Sequence, residues 1–210
     1  MTPTRRLHRN LRAVLVRGVV LGVAVAASGT TLHVTSAQAD STRRDPACVV
    51  DHGFRPTSLA IKGVLRTTEV LARGQDARGV PQPPPLTDRG KWQLAWDKAS
   101  GVRPGAPHGV VRLTAHTYPY AGGPPPALGN LLLRRLHEGA RIEVSGAGGE
   151  RLCYRVTKRQ EVPADATLSG YYDTVGKPRL AILVCSGARR GPGDWTHRTI
   201  WYAAPLHAPR

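Results

Sequence analysis

The sequence predicts a mainly β domain that closes into a small barrel with one or two short helices. Glycine and proline are abundant, with 23 and 18 of the 210 residues, and so many turn residues favour short strands over a helical bundle. Stretches with strand-like alternation recur between these turns. Only LGNLLLRRLHEG, closed by Gly139 after a basic last turn, has a clear helical pattern. A small barrel or a sandwich is therefore the natural architecture.

The predicted strands follow one another along the chain. TSLAIKGVL and VVRLTAHTY alternate, and in the second Arg112, Thr114 and His116 share the polar face. KWQLAWDKAS is predicted as a strand edge, and ARIEVSGAGGERLCYRVTKRQEV as a hairpin with a Gly-rich turn. PRLAILVC and RTIWYAAP are the last two strands. The predicted loops are GQDARGVPQPPPLTDRG, GVRPGAPHG, SGARRGPGDWTH and a longer connection over residues 162–177.

Residues 1–39 are predicted to form a secretory signal peptide or a signal anchor. The basic leader MTPTRRLHRNLRAVLVR precedes the apolar stretch GVVLGVAVAASGTTL, and SAQAD offers an Ala-x-Ala cleavage site. The apolar stretch has about 15 residues, whereas a membrane span needs roughly 20, so we favour cleavage over an anchor. Residues 40–55 are predicted as a linker and N-terminal segment, and residues 56–207 as the folded domain.

The charge balance bears on the partners of an exported domain. The chain has a net charge of +16; residues 1–39 contain five arginines and no acids, and the remainder keeps 25 basic and 14 acidic residues, a net charge of +11. Outside the cytoplasm, such a surface favours anionic envelope components over nucleic acid: phospholipid headgroups, teichoic-type polymers or peptidoglycan carboxylates. A GC-rich genome, which enriches arginine without a functional reason, is the alternative explanation.

The three cysteines allow one disulfide bond and one free thiol in an exported domain. In ERLCYRVTK the apolar side chains alternate so that Cys153 points away from the core, and Cys48 lies near the start of the folded region. A Cys48–Cys153 bond would close a loop of 105 positions and stabilise the fold by up to about 4–5 kcal/mol. Cys185 would then be free. Three reduced cysteines, or a disulfide that includes Cys185, are alternatives that the sequence leaves open.

Cys185 ends an apolar run and faces a loop, which is a frequent position for chemistry. A catalytic thiol needs an acid–base partner and a donor for the developing oxyanion. His116, on the polar face at the end of a predicted strand, is the candidate for the first role, and His197 competes with it. Arg198 opens the last strand, so its guanidinium would lie beside Cys185 if the last two strands are neighbours. The acidic residues are too scattered to indicate a calcium site, and we predict neither a metal nor a cofactor.

These motifs, in this order, resemble those of the sortases, the cysteine transpeptidases of the Gram-positive cell surface, and most closely the actinobacterial class E/F type. The likeness covers about residues 56–205. LTAHTYPY is similar to the strand that ends in Gly-His in the family, with Ala115 in place of glycine. AILVC is similar to Thr-Leu-x-Thr-Cys, with Ala181 and Val184 in place of the threonines, and RTIWYA is similar to the strand that the family's arginine opens. Cys185 and Arg198 lie 13 positions apart, a spacing that the family uses.

The resemblance implies a sortase-type catalytic domain over residues 56–207. Cys185 would attack the Thr–Gly amide of a C-terminal signal similar to Leu-Pro-x-Thr-Gly and form a thioacyl enzyme. His116 would protonate the leaving amine and then activate the incoming one, while Arg198 steadies the oxyanion and the peptide backbone. The connection over residues 162–179 would wall the groove. The residues expected to bind the substrate are Thr114, Tyr118, Val184, Tyr171 and Tyr172.

The implied partners are proteins that bear a C-terminal sorting signal, and a peptidoglycan precursor or pilin amine as acceptor, with no nucleic acid. The protein would lie in the cell envelope, either secreted or held in the membrane by an uncleaved N-terminal segment. An inactive relative, which Val184 leaves open, and an exported β-domain that binds anionic wall polymers are the alternatives. LVCSG is not the Ser-His-Gly-Cys type of motif of an L,D-transpeptidase, and a papain-like enzyme places its cysteine before its histidine.

Overall fold

The computed structural model describes residues 48–119 and 121–207. The predicted signal segment, residues 1–39, and the linker as far as residue 47 lie outside the described residues. Within the described ranges, no helix has both the length and the apolar character needed to cross a membrane. In chain order the elements are β1 (Pro56–Ile61), β2 (Leu65–Arg73), β3 (Leu94–Asp97), β4 (Val110–Ala115), α1 (Leu128–Arg135), β5 (Arg141–Gly146), β6 (Arg151–Pro163), α2 (Ser169–Tyr172), β7 (Arg179–Gly191) and β8 (Asp194–Pro205), with one-turn 3₁₀ helices at Gly90–Trp92 and Lys98–Ser100.

The eight strands form a closed barrel in the order β1-β2-β3-β4-β7-β8-β6-β5. This confirms the predicted mainly β class with a closed barrel and two short helices. The pairs β2–β3 and β4–β7 are parallel, and the other neighbours are antiparallel. Closure gives every strand a hydrogen-bonded neighbour on each side. The interior is apolar, and Leu132 of α1 joins Leu113, Ile182 and Trp201 of the barrel in one buried cluster.

Two segments differ from the predicted elements. TSLAIKGVL is not one strand, because β1 ends at Ile61 and β2 begins at Leu65, with Gly63 between them in the left-handed region at φ 76°. The predicted loop over 186–197 is instead strand, since β7 and β8 continue as a hairpin as far as the turn at Gly193. This extension has exposed polar residues and no apolar alternation, so the sequence does not indicate a strand there. Backbone pairing rather than a buried apolar face maintains it.

The polar face of β4 is covered in the structure. Arg112 is 3 % and Thr114 is 8 % exposed, so both faces of this strand are buried. The covering comes from α2 and the residues after it: Val110 N donates to Asp173 O at 2.9 Å, and the guanidinium of Arg112 lies against the ring of Tyr172. The face that carries the predicted site is therefore the floor of a covered groove.

Candidate active site

Three adjacent strands bring the predicted catalytic residues into one row. The parallel register of β4 and β7 pairs Ala115 with Val184, which places His116 beside Cys185 at the next step. The antiparallel register of β7 and β8 pairs Cys185 directly with Arg198. Because directly paired residues of neighbouring strands share a face, all three lie on the same side of the sheet. We call this set, His116, Cys185 and Arg198, the catalytic row.

The start of α1 fixes the end of β4 and the residues after it. Gly129 N donates to His116 O at 2.9 Å, and a Cβ at position 129 would clash with that carbonyl. The buried side chain of Asn130 accepts from Tyr118 N and donates to Tyr118 O, both at 3.0 Å. Hydrogen bonds from the first turn of α1 therefore fix the backbone at His116 and at Tyr118.

The thiol of Cys185 is partly buried, and Cys185 is the free cysteine among the described residues. Burial raises the pKa of this thiol, and the positive charge of Arg198 opposes the rise only in part. The hydroxyl of Thr117 donates to Cys185 O at 2.7 Å and joins the segment after β4 to the middle of β7. Arg198 Nη1 donates to Trp195 O at 3.2 Å and to His197 O at 2.9 Å, so the guanidinium is held near the hairpin backbone.

The imidazole of His116 contacts the proline-rich loop between β2 and β3. His116 Nε2 lies 2.6 Å from Pro84 O, and because a carbonyl only accepts, Nε2 carries a proton. The ring of Tyr118 packs edge-on against the imidazole, with 6.1 Å between centroids. Among the described residues, no hydrogen bond joins His116 to the thiol of Cys185. In this position Nε2 is engaged by Pro84 O, and Nδ1 is the ring nitrogen not engaged by that contact.

Two adjoining clefts border the catalytic row. The thiol cleft, about 460 Å³, contains Cys185 and His116. The connection cleft, about 710 Å³, contains Arg198 and is walled by residues 164–172. The two clefts share the side chains of Pro81, Thr114 and Leu183, so together they form one groove across the row. The hairpin of β7 and β8 adds Arg189 and Trp195 to the thiol cleft.

Of the residues predicted to bind a substrate, four line the two clefts and one lies in the core. Thr114 lines both clefts, and within the described part of the chain its buried Oγ1 has no hydrogen-bond partner. Tyr118 lines the thiol cleft, and Tyr171 and Tyr172 line the connection cleft. Tyr171 is only 1 % exposed, and burial raises its pKa and that of Tyr172. Val184 corrects our expectation: it has no exposed surface and packs in the core, because strand alternation turns it away from the face of Cys185.

The other two cysteines form a disulfide bond. The structure joins Cys48 to Cys153, with 5.2 Å between their Cα atoms, as the sequence predicted. Cys153 lies opposite the barrel interior yet is fully buried, because Cys48 and Arg141 cover it. The described residues contain a single cluster of possible metal ligands, formed by these two cysteines and Glu143, and its sulfur atoms are bonded to each other.

Sequence reasoning missed residues that support the row through the backbone. Pro84, Gly129 and Asn130 all contact His116 or the residues just after it. A polar asparagine at the start of an apolar helix is a signal that could have indicated Asn130, because a buried amide needs partners. Arg189 and Trp195 were missed because their segment was predicted to be a loop. No sequence pattern indicated the contact with Pro84.

No protein-family model and no curated protein matches this chain. Solved structures do resemble it. Sortase C1 of Streptococcus agalactiae in complex with MTSET is 16 % identical, with 71 % of this chain and 68 % of that chain covered and a TM-score of 0.51. Sortase C1 of Streptococcus suis is 16 % identical over 74 % of each chain, with a TM-score of 0.50. The pilus-related sortase C of group B Streptococcus is 15 % identical over 76 % of this chain and 70 % of that chain, with a TM-score of 0.50. These likenesses show that the chain has the sortase fold.

Proposed function

We propose that this protein is an extracytoplasmic cysteine transpeptidase of the sortase type. It cleaves a C-terminal signal similar to Leu-Pro-x-Thr-Gly between Thr and Gly and transfers the acyl part to an amine. The observation that carries this proposal is the catalytic row, in which a free thiol lies between a histidine and an arginine on three adjacent strands. The fold shared with the sortase C structures supports it.

The proposed reaction has two acyl-transfer steps. The sulfur of Cys185, as thiolate, attacks the carbonyl carbon of the signal threonine, and Arg198 donates hydrogen bonds to the oxyanion. The C–N bond then breaks, His116 protonates the departing glycine amine, and a thioester remains on Cys185. An incoming amine attacks that thioester and gives a proton to His116, and the thiolate leaves. Only the two steps together return the row to its starting protonation state, because the second step restores the proton of His116 and the thiolate of Cys185.

The protonation state of the resting enzyme follows from burial. Because burial raises the pKa of the Cys185 thiol, most of the free enzyme holds a neutral thiol at neutral pH. The charge of Arg198 lowers that pKa, so this arginine contributes to thiolate formation as well as to oxyanion binding. We therefore expect the thiolate to be a minor fraction of the free enzyme at neutral pH, and that fraction to increase as the pH rises.

The groove accounts for how the two substrates meet at the thiol. In this proposal the sorting signal binds in the connection cleft, whose lining includes Thr114 and Arg198. The acceptor amine approaches through the thiol cleft, past Arg189 and Trp195 of the hairpin. His116 lines this second cleft, and in this proposal it receives the proton of the amine.

The finer assignments are part of the proposal. The motifs around His116, Cys185 and Arg198 favour the actinobacterial class E/F type. The substrates are exported proteins with a C-terminal sorting signal, and the acceptor is an amine of a peptidoglycan precursor or a pilin. The basic leader and apolar stretch of residues 1–39 favour a location in the cell envelope, after cleavage or as an anchor.

Acylation of the purified chain tests the proposal. We expect incubation with sorting peptides to add the acyl fragment to Cys185, as intact mass spectrometry detects, and Cys185→Ala to abolish the adduct. His116→Ala should stall acylation. His197→Ala is the matched control, because His197 pairs with Ser186 on the opposite face of the hairpin. An active His116→Ala beside an inactive His197→Ala would contradict the assigned acid–base residue.

A further inference from the structure

The wall of the connection cleft is held by an arginine from each of two barrel strands. Arg112 of β4 places its guanidinium carbon 5.2 Å from the ring centroid of Tyr172 in α2. Arg179 of β7 directs Nη2 at Gly170 O, 3.4 Å away, and at a carboxylate oxygen of Asp173, 3.5 Å away. Helix α2 has only four residues, too few for stability on its own, so contacts with the barrel, including those of the two arginines, determine its position.

Arg112 has almost no freedom in this arrangement. It is 3 % exposed, and its Nε lies 3.3 Å from Oδ2 of Asp97, which is 1 % exposed. The carboxylate is itself fixed, because Oδ2 accepts from Gln75 Nε2 at 2.7 Å and Oδ1 accepts from Ala99 N at 3.1 Å. A buried cation is costly unless it is paired, so the ion pair holds the guanidinium beside Asp97, where it also lies against the ring of Tyr172.

The contact between Arg112 and the ring of Tyr172 has the geometry of a cation–π interaction. The guanidinium carbon of Arg112 lies within the usual distance of an aromatic ring centroid, and the burial of Arg112 keeps the guanidinium out of water. The ring of Tyr171 packs edge-on against that of Tyr172, with 5.1 Å between centroids, and is buried in a second apolar cluster. A shift of Arg112 would therefore move both tyrosines and the cleft wall that they form.

We propose that the Asp97–Arg112 ion pair positions the wall of the connection cleft and so determines the affinity for the sorting signal. Arg112 lies on the same face of β4 as Thr114 and His116, two and four positions before them. The ion pair does not touch the catalytic row, so it acts on peptide binding through Tyr172 and leaves the chemistry of Cys185 unchanged. The role in peptide binding rests on the proposed function; the positioning of the wall does not.

Amide hydrogen exchange over residues 164–178 of the free protein tests the positioning directly. Tyr172 is exposed at the surface, so its replacement leaves the barrel folded. Tyr172→Leu removes the aromatic face and should speed exchange in this segment about fivefold, the effect of losing one cation–π contact. Tyr172→Phe keeps the ring over Arg112 and should exchange like the parent protein. Equal exchange in the Leu and Phe variants would overturn the positioning role.

The effect on peptide binding is tested by acylation kinetics with Arg112→Lys. Lysine keeps a positive charge beside Asp97 but lacks the planar guanidinium that lies beneath the ring. We expect a higher KM for the sorting peptide, an unchanged kcat, and unchanged alkylation of Cys185 by iodoacetamide. A lower kcat with an unchanged KM would contradict the proposal. If no peptide acylates the parent protein, the proposed function fails, and the exchange experiment still decides whether the ring contact holds the wall.

Discussion

At the scale of single residues, Arg198 controls how readily the Cys185 thiol ionises. Burial raises the pKa of the thiol, and the charge of Arg198 opposes this rise. Arg198→Gln removes that charge, so it should raise the thiol pKa further and shift the pH profile of alkylation by iodoacetamide to higher pH. The rate should fall at neutral pH and converge with that of the parent protein in alkaline solution.

Arg189→Gln is the matched control for this profile. Arg189 also lines the thiol cleft, but its charge is not among the causes that shift the pKa of Cys185. Its pH profile should therefore coincide with that of the parent protein. A shift in Arg189→Gln equal to that in Arg198→Gln would show that net charge in the cleft, rather than the direct strand pairing, controls the thiol.

The sequence allowed the three residues of the catalytic row to be named, because each lies at one end of a recognisable apolar run. The expected substrate contact of Val184 was wrong, because a motif comparison gives only the residue type, whereas strand alternation decides the direction of the side chain. The sequence could not reveal Pro84, since a backbone carbonyl that meets His116 across 32 positions depends on loop conformation rather than on residue type.

At the scale of elements, the start of α1 fixes the position of His116. Gly129→Ala would introduce a methyl group against His116 O, which is backbone and cannot move without displacing the residue. We expect a loss of stability of about 1–3 kcal/mol and a lower acylation rate. Chemical denaturation and peptide acylation measure the two effects.

Gly74→Ala is the control for that substitution. An added Cβ at position 74 meets no atom within 4 Å. The φ of Gly74 does not lie in the left-handed region, so alanine can adopt the same backbone conformation. Stability and acylation should match those of the parent protein. If Gly129→Ala behaved in the same way, the packing of the helix start against His116 would not be a constraint on the row.

The Asp97–Arg112 pair links β3 to β4. Asp97→Asn leaves the buried guanidinium of Arg112 without its counter-charge, so unfolding should become easier by about 3 kcal/mol in denaturant. Asp88→Asn breaks the ion pair between Lys91 and a fully exposed carboxylate, so the midpoint of denaturant unfolding should stay unchanged. Equal midpoints for the two variants would contradict the importance of the buried pair.

The elements that the sequence failed to predict share a physical cause. β2 and the outer half of the β7–β8 hairpin carry polar, partly exposed side chains, so they lack the apolar alternation that reveals a strand. Their backbone hydrogen bonds depend on neighbours that are distant in sequence, such as the parallel pairing of β2 with β3. Helix α1 and the strands β4 and β6 were predictable because they bury a regular apolar face.

At the scale of the whole molecule, the disulfide between Cys48 and Cys153 connects the N-terminal segment to the barrel. It closes a loop of 105 positions, for which the chain-entropy model gives an upper value of about 4–5 kcal/mol. Replacing both cysteines with serine should decrease the free energy of unfolding by up to that amount, as measured by denaturation. Cys185→Ser should have a far smaller effect, and equal losses would contradict the bond as the larger source of stability.

The order of strands around the barrel explains why the site forms. Residues 116 and 185 are far apart in sequence, and only the parallel pairing of β4 with β7 brings them together. The sequence predicted the class of barrel but not this crossover, because pairing between distant strands leaves no local pattern. The catalytic row is therefore a property of the closed barrel and not of one motif.

Mass analysis of acyl transfer in the purified chain tests the central claim most directly. The chain is incubated with a sorting peptide similar to Leu-Pro-x-Thr-Gly and then with an amine acceptor, and its intact mass is followed. Our account predicts a gain equal to the acyl fragment, localised to Cys185, and its loss to the added amine as a new amide product. A Cys185 that stays unmodified by every such peptide, while the folded protein still reacts with iodoacetamide, would contradict it.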